Sequence, residues 1–323
     1  MRRILFLTST RIGDAVLSTG LLSHLVEANP GARFTVACGP AAASLFAGVP
    51  GLERVISVAK GRYGSHWLAL WRACVATRWD LVVDLRRSVF AWTVRTRARA
   101  GLRPVPPMTH RVAEIAAVLG LNPPPAPRLW ALPRHLARAR ELIPPGGPVL
   151  AIGPAANWRG KTWRAERFVE LVARLSAPGA PFAGARIAAF AAPTEAAIAA
   201  AALAGLPPDR RIAVTAETDL LAVYAALCRC AGFVGNDSGL MHIAAAAGIP
   251  TLGLFGPSHA ELYAPWGSRA AAVRTAEAYD RLVGGPGYDH RTTDTLMDGL
   301  SVDSALAAAL ALFADERPLP CPA

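Results

Sequence analysis

The stretch Arg3–Cys38, RILFLTSTRIGDAVLSTGLLSHLVEANPGARFTVAC, contains the repeating unit from which the fold is predicted. Its first residues, Arg3–Leu7, form a continuous apolar run that is typical of a strand buried on both faces. Between Asp14 and Asn29 the apolar side chains recur at helical spacing, and Arg33–Cys38 is a second apolar run. A strand, a helix and another strand in this order predict a parallel sheet covered by helices.

The same alternation continues along the chain. Further strands are predicted at residues 55–58, 80–85, 149–152, 186–190, 211–214, 233–235 and 251–255. Helices are predicted between them, including a basic helix at 89–99 and a last helix at about 302–315. Proline-rich segments at 121–127 and 144–148 interrupt the pattern, so we expect a domain boundary near residue 145. Two α/β domains follow, with ligands in a cleft beyond the carboxyl ends of the strands.

The composition suits a folded protein in a reducing compartment. Of the 323 residues, 18% are charged and 53% are hydrophobic. The hydrophobic share is large enough to form two cores. No apolar run reaches the roughly 20 residues of a membrane-spanning helix. Arg11 and Asp14 follow the short apolar start too closely for a secretory signal. The five cysteines are scattered and odd in number, which predicts ordinary thiols.

Charge is distributed unevenly along the chain. Residues 1–145 carry 20 basic and 7 acidic side chains, a balance of +13, and residues 146–323 carry 14 and 16, a balance of −2, so the excess positive charge lies in the first half. Such an excess indicates an acidic partner: a nucleic acid, an anionic membrane surface or a phosphorylated glycolipid. The sequence contains no recognised nucleic-acid-binding motif, which counts against the first of these.

The loop Thr8–Asp14 follows the first strand, where a dinucleotide-binding domain would carry its GxGxxG motif. That motif is absent, which counts against an NAD- or FAD-dependent oxidoreductase. The loop ends instead in Asp14, at the predicted start of a helix. Two interpretations stay open: Asp14 caps the helix, or it is a general base at the mouth of the cleft.

In the second half, loops that follow several strands carry groups suited to phosphate. Lys161 is one of only two lysines in the chain, and its compact ammonium group suits a phosphate oxygen, or simply solvent. The segment Gly235–Gly239 opens a helix whose free N–H groups favour an anion, although a capping side chain would explain it equally. Glu195, at another helix start, can favour the helix dipole or bind ribose hydroxyls.

Four segments together resemble glycosyltransferase family nine, the bacterial lipopolysaccharide heptosyltransferases. They are Arg11-Ile-Gly-Asp14, Lys161-Thr-Trp163 with Glu166-Arg-Phe168, Gly235-Asn-Asp-Ser-Gly-Leu-Met-His242, and Leu254-Phe-Gly-Pro257. The resemblance implies an α/β GT-B fold of two Rossmann-like parallel-sheet domains facing an inter-domain cleft. The domains would be an acceptor-binding one at 1–145 and a nucleotide-sugar-binding one at 146–323. The last helix would be free to pack back on the N-terminal domain.

The resemblance also implies an inverting transfer from a nucleotide-diphosphate donor, typically ADP-L-glycero-β-D-manno-heptose. Asp14 would deprotonate the acceptor hydroxyl, and Lys161 would neutralise the departing diphosphate. The implied donor-binding residues are Glu195, Asp237, Ser238, Gly239 and His242. No metal ion or cofactor is expected, because Lys161 and the helix N-terminus supply the positive field.

The implied acceptor is the anionic inner core of lipopolysaccharide, which agrees with the basic first half. Arg11, Arg86 and Arg87 are expected to bind it. The arginines on the predicted basic helix are expected to face solvent or lipid headgroups: Arg95, Arg97 and Arg99. Such an enzyme would lie in the cytoplasm, with contact to the inner membrane, and would bind no nucleic acid. The alternative is a non-catalytic nucleotide-sugar- or glycan-binding protein on the same fold.

Overall fold

The computed structural model describes residues 1–285, 288–289 and 292–314. The chain divides into two compact units, Met1–Leu132 and Pro133–Ala323. The division falls before Pro133 rather than near residue 145, because the helix Pro133–Leu142 packs against the helix Leu220–Leu227 of the second unit. Residues 1–132 hold 17 basic and 6 acidic side chains, and therefore all of the net charge of +11.

The first unit is a parallel sheet with strand order β3-β2-β1-β4-β5. Its strands are β1 (Arg3–Leu7), β2 (Arg33–Cys38), β3 (Leu52–Ser57), β4 (Trp79–Asp84) and β5 (Thr96–Gly101), and its helices are α1 (Ile12–Ala28), α2 (Ser65–Cys74), α3 (Phe90–Thr93) and α4 (Arg111–Ala116). Central β1 is buried from Ile4 onward, which explains its apolar sequence. The chain builds β2 and β3 on one side of β1 and then β4 and β5 on the other. This reversal creates a switch point between β1 and β4.

The second unit repeats this plan with strand order β11-β10-β9-β6-β7-β8. Its strands are β6 (Val149–Gly153), β7 (Arg186–Phe190), β8 (Arg211–Val214), β9 (Gly232–Asn236), β10 (Thr251–Phe255) and β11 (Ala270–Arg274). Its helices are α5 (Pro133–Leu142), α6 (Ala165–Leu175), α7 (Ala196–Ala202), α8 (Leu220–Leu227), α9 (Gly239–Ala246), α10 (Ala260–Tyr263), α11 (Tyr279–Val283) and α12 (Val302–Phe313). The switch point lies between β6 and β9. Throughout the described ranges, no helix combines the length and apolarity needed to cross a membrane.

Helix α12 packs within the second unit, against α6, β10 and β11. Its buried residues Val302, Ala305 and Ala309 belong to the same core cluster as Leu150 and Ile152 of β6. The small side chains let the helix lie close to the sheet. The expectation that the last helix packs back on the N-terminal domain stays a prediction. Residue 315, with which that helix was predicted to end, lies outside the described residues.

The predicted basic helix at 89–99 is wrong. Helix α3 covers only Phe90–Thr93, and the arginines that follow belong to β5, an edge strand paired with β4. In β5, Arg97 and Arg99 alternate with alanines, which is the two-residue period of a strand. Charged side chains are common on edge strands, where they prevent further pairing. Strand β5 therefore lacks the continuous apolar run of the central strands because it lies at the edge of the sheet.

Candidate active site

Two glycines meet at the switch point of the second unit. Gly153, at the end of β6, pairs with Gly235 of β9. A Cβ atom on Gly235 would lie 2.6 Å from the Phe233 ring and 2.9 Å from the Gly153 carbonyl oxygen, which is too close. Packing within the sheet therefore requires glycine at this position. It lets the loops after β6 and β9 leave the sheet side by side.

Asn236, the last residue of β9, fastens these two loops together. Its side chain is fully buried, Oδ1 accepts a hydrogen bond from the Trp163 N–H at 3.2 Å, and Nδ2 donates to the Pro154 carbonyl at 2.8 Å. Pro154 begins the loop after β6 and Trp163 ends it. One amide thus fixes both ends of the loop that carries Lys161.

Lys161 and Asp237 form an ion pair at this edge of the sheet. The Nζ atom of Lys161 lies 2.5 Å from Oδ2 of Asp237, and the two side chains are 23% and 8% exposed. The Asp237 N–H donates to the Leu254 carbonyl of β10 at 3.1 Å, which fixes the carboxylate. An ammonium group has three N–H donors. Among the described residues only Asp237 accepts from Lys161, so two donors remain for a bound anion.

The N-terminus of α9 lies directly after this ion pair. Ser238 is its N-cap residue, yet its side chain makes no capping hydrogen bond to the helix. The hydroxyl oxygens of Ser238 and Ser258 are buried and lack a hydrogen-bond partner among the described residues. Buried hydroxyls are normally paired, and unpaired helix N–H groups bind anions. Lys161, Asp237, Ser238 and Gly239 thus form a site suited to a phosphate.

His242 and Glu195 stand farther from this group. His242 is buried in α9, one turn beyond Ser238. Glu195 ends the 3₁₀ turn after β7, and its Oε2 accepts from the Ala192 N–H at 3.1 Å. The described contacts of Glu195 include neither Lys161 nor Asp237, so it shares only the edge of the sheet with them.

Residues 294–300 contact the Lys161 loop, and no motif in the sequence predicted these contacts. The Leu296 N–H donates to the Gly160 carbonyl at 2.9 Å, and the indole Nε1 of Trp163 donates to the Leu300 carbonyl at 3.0 Å. Arg164 makes a bidentate pair with Asp298 at 2.6 Å for both bonds, and this hydrogen bonding lowers the pKa of Asp298. The loop is therefore built in advance of any ligand.

Replacing Asn236 by alanine should loosen the Lys161 loop. The change leaves the Trp163 N–H and the Pro154 carbonyl buried without partners, and we expect a loss of about 2 kcal/mol in the free energy of unfolding. Urea unfolding measures the loss, and hydrogen exchange of residues 154–163 locates it. Asn157→Ala removes an exposed amide from the same loop and is the control. Equal stability of the two variants would show that Asn236 does not fasten the loop.

In the first unit, Asp14 lies on the first turn of α1, just after β1. Its side chain is 20% exposed, Oδ2 accepts from the Ser9 hydroxyl at 3.4 Å, and Oδ1 lies 3.9 Å from Nε of Arg111. The N-cap residue of α1 is Arg11, and no side chain caps this helix. The capping interpretation of Asp14 is therefore not supported. The carboxylate is partly exposed and positioned by two neighbours.

A chain of ion pairs runs from Asp14 to Arg87. Arg111 approaches Asp14 and also pairs with Glu114 at 2.5 Å. Glu114 accepts from Arg87 at 2.8 Å through its other oxygen. Neither Arg111 nor Glu114 was singled out from the sequence. Their spacing of three residues on α4 was the available signal.

The other predicted acceptor residues take different positions. Arg86 places its guanidinium group over the Trp67 ring, 4.6 Å from the ring centroid, and burial lowers its pKa despite the nearby Asp84. Arg87 is mostly exposed and has a φ of +52°, which is rare for a residue with a side chain. Arg11 is exposed at the start of α1. Arg87 is linked to Asp14 through the chain of ion pairs, and the backbone N–H of Arg11 is linked to it through the Ser9 hydroxyl.

No group of three or more His, Cys, Asp and Glu side chains that could hold a metal ion occurs within residues 1–285, 288–289 and 292–314. Burial raises the pKa of the Cys38 thiol to about 12 and that of Cys74 to about 11. Thiols with such pKa values remain protonated and unreactive at neutral pH. Cys321 lies outside the described residues.

Comparison with known proteins adds a family to this geometry. The sequence model described as glycosyltransferase family 9 (heptosyltransferase) matches residues 83–282, more than half of the chain. Lipopolysaccharide heptosyltransferase 2 of Salmonella typhimurium is 36% identical over 66 residues, which are 20% of this chain and 19% of that protein. In that alignment the chain spans about a fifth of the relative's length.

Solved structures extend the similarity over nearly the whole chain. A glycosyl transferase family 9 structure from Veillonella parvula has a TM-score of 0.79 at 20% identity, over 98% of both chains. The Escherichia coli heptosyltransferase WaaC with ADP-2-deoxy-2-fluoro heptose has a TM-score of 0.68 at 20% identity, over 94% of this chain and 97% of that one. At such identities the likeness establishes the fold, the GT-B class with two Rossmann-like parallel-sheet domains.

Proposed function

Since the chain belongs to glycosyltransferase family 9, the heptosyltransferase family, we propose that it transfers a heptose from ADP-heptose to the inner core of a lipopolysaccharide, with inversion at the anomeric carbon. The transfer of a sugar rests on membership of this glycosyltransferase family. The donor rests on the WaaC relative, whose structure carries an ADP-heptose analogue.

One observation carries the proposal: Lys161 lies beside the N-terminus of α9 at the switch point of the second sheet. The donor diphosphate would take the free donors of Lys161, the first N–H groups of α9, and the hydroxyl groups of Ser238 and Ser258, which lack partners among the described residues. Asp237 holds the ammonium group in place. Gly239 begins the helix and leaves its first turn open, and Glu195 and His242 are proposed to contact other parts of the nucleotide-sugar.

The first unit would supply the base. Asp14 takes the proton from an acceptor hydroxyl while that oxygen attacks the anomeric carbon of the donor. A bond forms between this carbon and the acceptor oxygen, and the bond from the same carbon to the diphosphate breaks. ADP leaves with the bonding electrons, and its growing negative charge is stabilised by Lys161 and the dipole of α9.

The acceptor would be an anionic glycolipid, bound by Arg11, Arg86, Arg87 and their neighbours. The net charge of +11 on residues 1–132 supports this assignment. A lipid-anchored acceptor would bring the first unit to the cytoplasmic face of the inner membrane, where each basic residue near anionic lipid adds about 1 kcal/mol of attraction. Nucleic acid is not proposed as a partner.

We further propose that transfer needs no metal ion or cofactor. The cationic and helix-terminal groups already face the position proposed for the diphosphate, so a divalent cation is not required to offset its charge. Activity should persist after dialysis against a chelator. Loss of activity that returns on adding a metal ion would contradict this part of the proposal and leave the transfer reaction intact.

The deciding experiment incubates the full chain with ADP-heptose and a delipidated inner-core acceptor, followed by mass and anomer analysis of the product. We expect the acceptor to gain one heptose with inverted configuration, together with one ADP. GDP-, UDP- and dTDP-sugars in parallel test the nucleotide. Donor binding without transfer or hydrolysis would instead favour the non-catalytic binding protein.

A further inference from the structure

A cavity of about 660 Å³ opens at the outer end of the first sheet, beside β5. Its walls come from the segment after β4, from α3 and from the segment after β5. The volume falls within the range of about 300–1,000 Å³ that is usual for small-molecule sites. The groups already assigned to the base and the diphosphate do not line this cavity.

The cavity is strongly cationic. Arg87, Arg99 and Arg103 line it, and the one acidic residue of its lining is Asp84. Both oxygens of Asp84 are occupied, because one accepts from the Arg86 N–H at 2.8 Å and the other from the Ser88 hydroxyl. Within the described residues, Arg87 pairs with Glu114, and no ion pair joins Asp84 to an arginine of the lining.

Two of the three arginines retain free donors. Arg103 makes no hydrogen bond or ion pair with any described residue, and it is exposed. Arg99 donates to the backbone carbonyls of Ala91 and Val94, which fixes its plane without neutralising its charge. Guanidinium groups of this kind bind phosphate or carboxylate in a bidentate manner.

An exposed indole ring completes the cavity. Trp92 is 75% exposed although it is large and apolar, and Arg99 lies over its ring at 4.9 Å from the centroid. The stacked guanidinium holds the ring in place. The C–H face of a sugar ring would remove this apolar surface from water, which a bare phosphate could not do.

We propose that this cavity binds a sugar residue bearing a phosphate or carboxylate group, with the anion on Arg99 and Arg103 and the sugar ring against Trp92. The inference rests on the proposed function, since such a sugar would be part of the acceptor. Strand β5 is two strands from β1, about 10 Å at the usual spacing. The ion pairs from Arg87 to Asp14 connect the cavity with the base.

The cavity gives the arginines in and before β5 surroundings that differ from those expected from the sequence. The sequence predicted that Arg95, Arg97 and Arg99 face solvent or lipid headgroups. Arg99 instead lines the cavity, whereas Arg97 pairs with Asp80 at 3.4 Å. Arg95 is exposed and does not line the cavity, which makes it a matched control for the loss of one charge.

The test titrates the full chain with glucose 6-phosphate, glucuronate, glucose and inorganic phosphate by calorimetry. The proteins are the wild type, Arg103→Ala, Trp92→Ala and the control Arg95→Ala. Both cavity side chains are exposed, so folding should be unaffected. We expect one or both anionic sugars to bind better than glucose and phosphate. Arg103→Ala and Trp92→Ala should each weaken binding at least fivefold, and Arg95→Ala less than twofold.

The two anionic sugars distinguish phosphate from carboxylate as the preferred group. Three results would overturn the inference: no binding of either sugar at about 10 mM, equal loss with Arg95→Ala, or sugar phosphate binding no tighter than phosphate alone. A DNA duplex is titrated as well. If it binds more tightly than the anionic sugars, and Arg103→Ala abolishes that binding, the surface is a nucleic-acid site and the inference is overturned. ADP is titrated in parallel, because failure of ADP to bind would count against the proposed function, and failure of the sugars alone would not.

Discussion

Replacing Asp14 by asparagine should reduce turnover by at least about a hundredfold, since a general base typically contributes 10² to 10⁴. Asparagine has nearly the same shape and can still accept a hydrogen bond from Ser9, so the loss would come from the missing base. ADP affinity should stay within about twofold, because the proposed diphosphate site belongs to the second unit. Single-turnover transfer and ADP calorimetry measure the two effects.

Asp80→Asn is the matched control for this experiment. Asp80 lies at the opposite end of β4 and pairs with Arg97 and the Arg3 N–H, so it can stabilise the unit but not reach the ligand edge. Its substitution should leave turnover nearly unchanged. Near-normal turnover in the Asp14 variant would show that Asp14 is not the base and has only a structural role in the first turn of α1. Equal losses in both variants would indicate damage to the fold.

The sequence predicted the central strands well and the edge strands unevenly: edge strand β8 was predicted at its observed bounds, 211–214, whereas β5 was not predicted as a strand. Strands β1 and β6 are buried on both faces, so their apolar runs are continuous and easy to recognise. Strand β5 lies at an edge, and its alternating arginines were mistaken for part of a helix. Periodicity reports burial, and no residue of β5 is buried, so its sequence contains no apolar run that would mark a strand.

The candidate site shows a similar division. Parallel strands align their carboxyl ends, so the sequence could assign Lys161 and Asp237 to one edge although 76 residues separate them. It could not show that the two form an ion pair, nor that Asn236 fastens the loop. Arg111 and Glu114 were missed because their contacts with Asp14 and Arg87 depend on how α4 packs. Which side chains become partners when they are far apart in sequence depends on tertiary packing. The periodicity of apolar residues carries no information about that packing.

Replacing Lys161 by alanine should weaken ADP binding or turnover by at least tenfold, about 1.4 kcal/mol. Lys60, the other lysine of the chain, is exposed, and Lys60→Ala is the matched control for loss of a positive charge. Binding by calorimetry and single-turnover transfer are measured for both variants. Unchanged values in Lys161→Ala would remove this lysine from the proposed diphosphate site.

A second variant separates two ways in which Lys161 could act. Its removal also leaves Asp237 nearly buried and unpaired next to the proposed phosphate position, and that repulsion alone could weaken binding. The double variant Lys161→Ala with Asp237→Asn removes the repulsion. If Lys161 contacts the diphosphate, the double variant stays at least about fivefold weaker than the wild type. Full recovery would mean that the ammonium group only neutralises Asp237, and that the helix N-terminus binds the diphosphate without it.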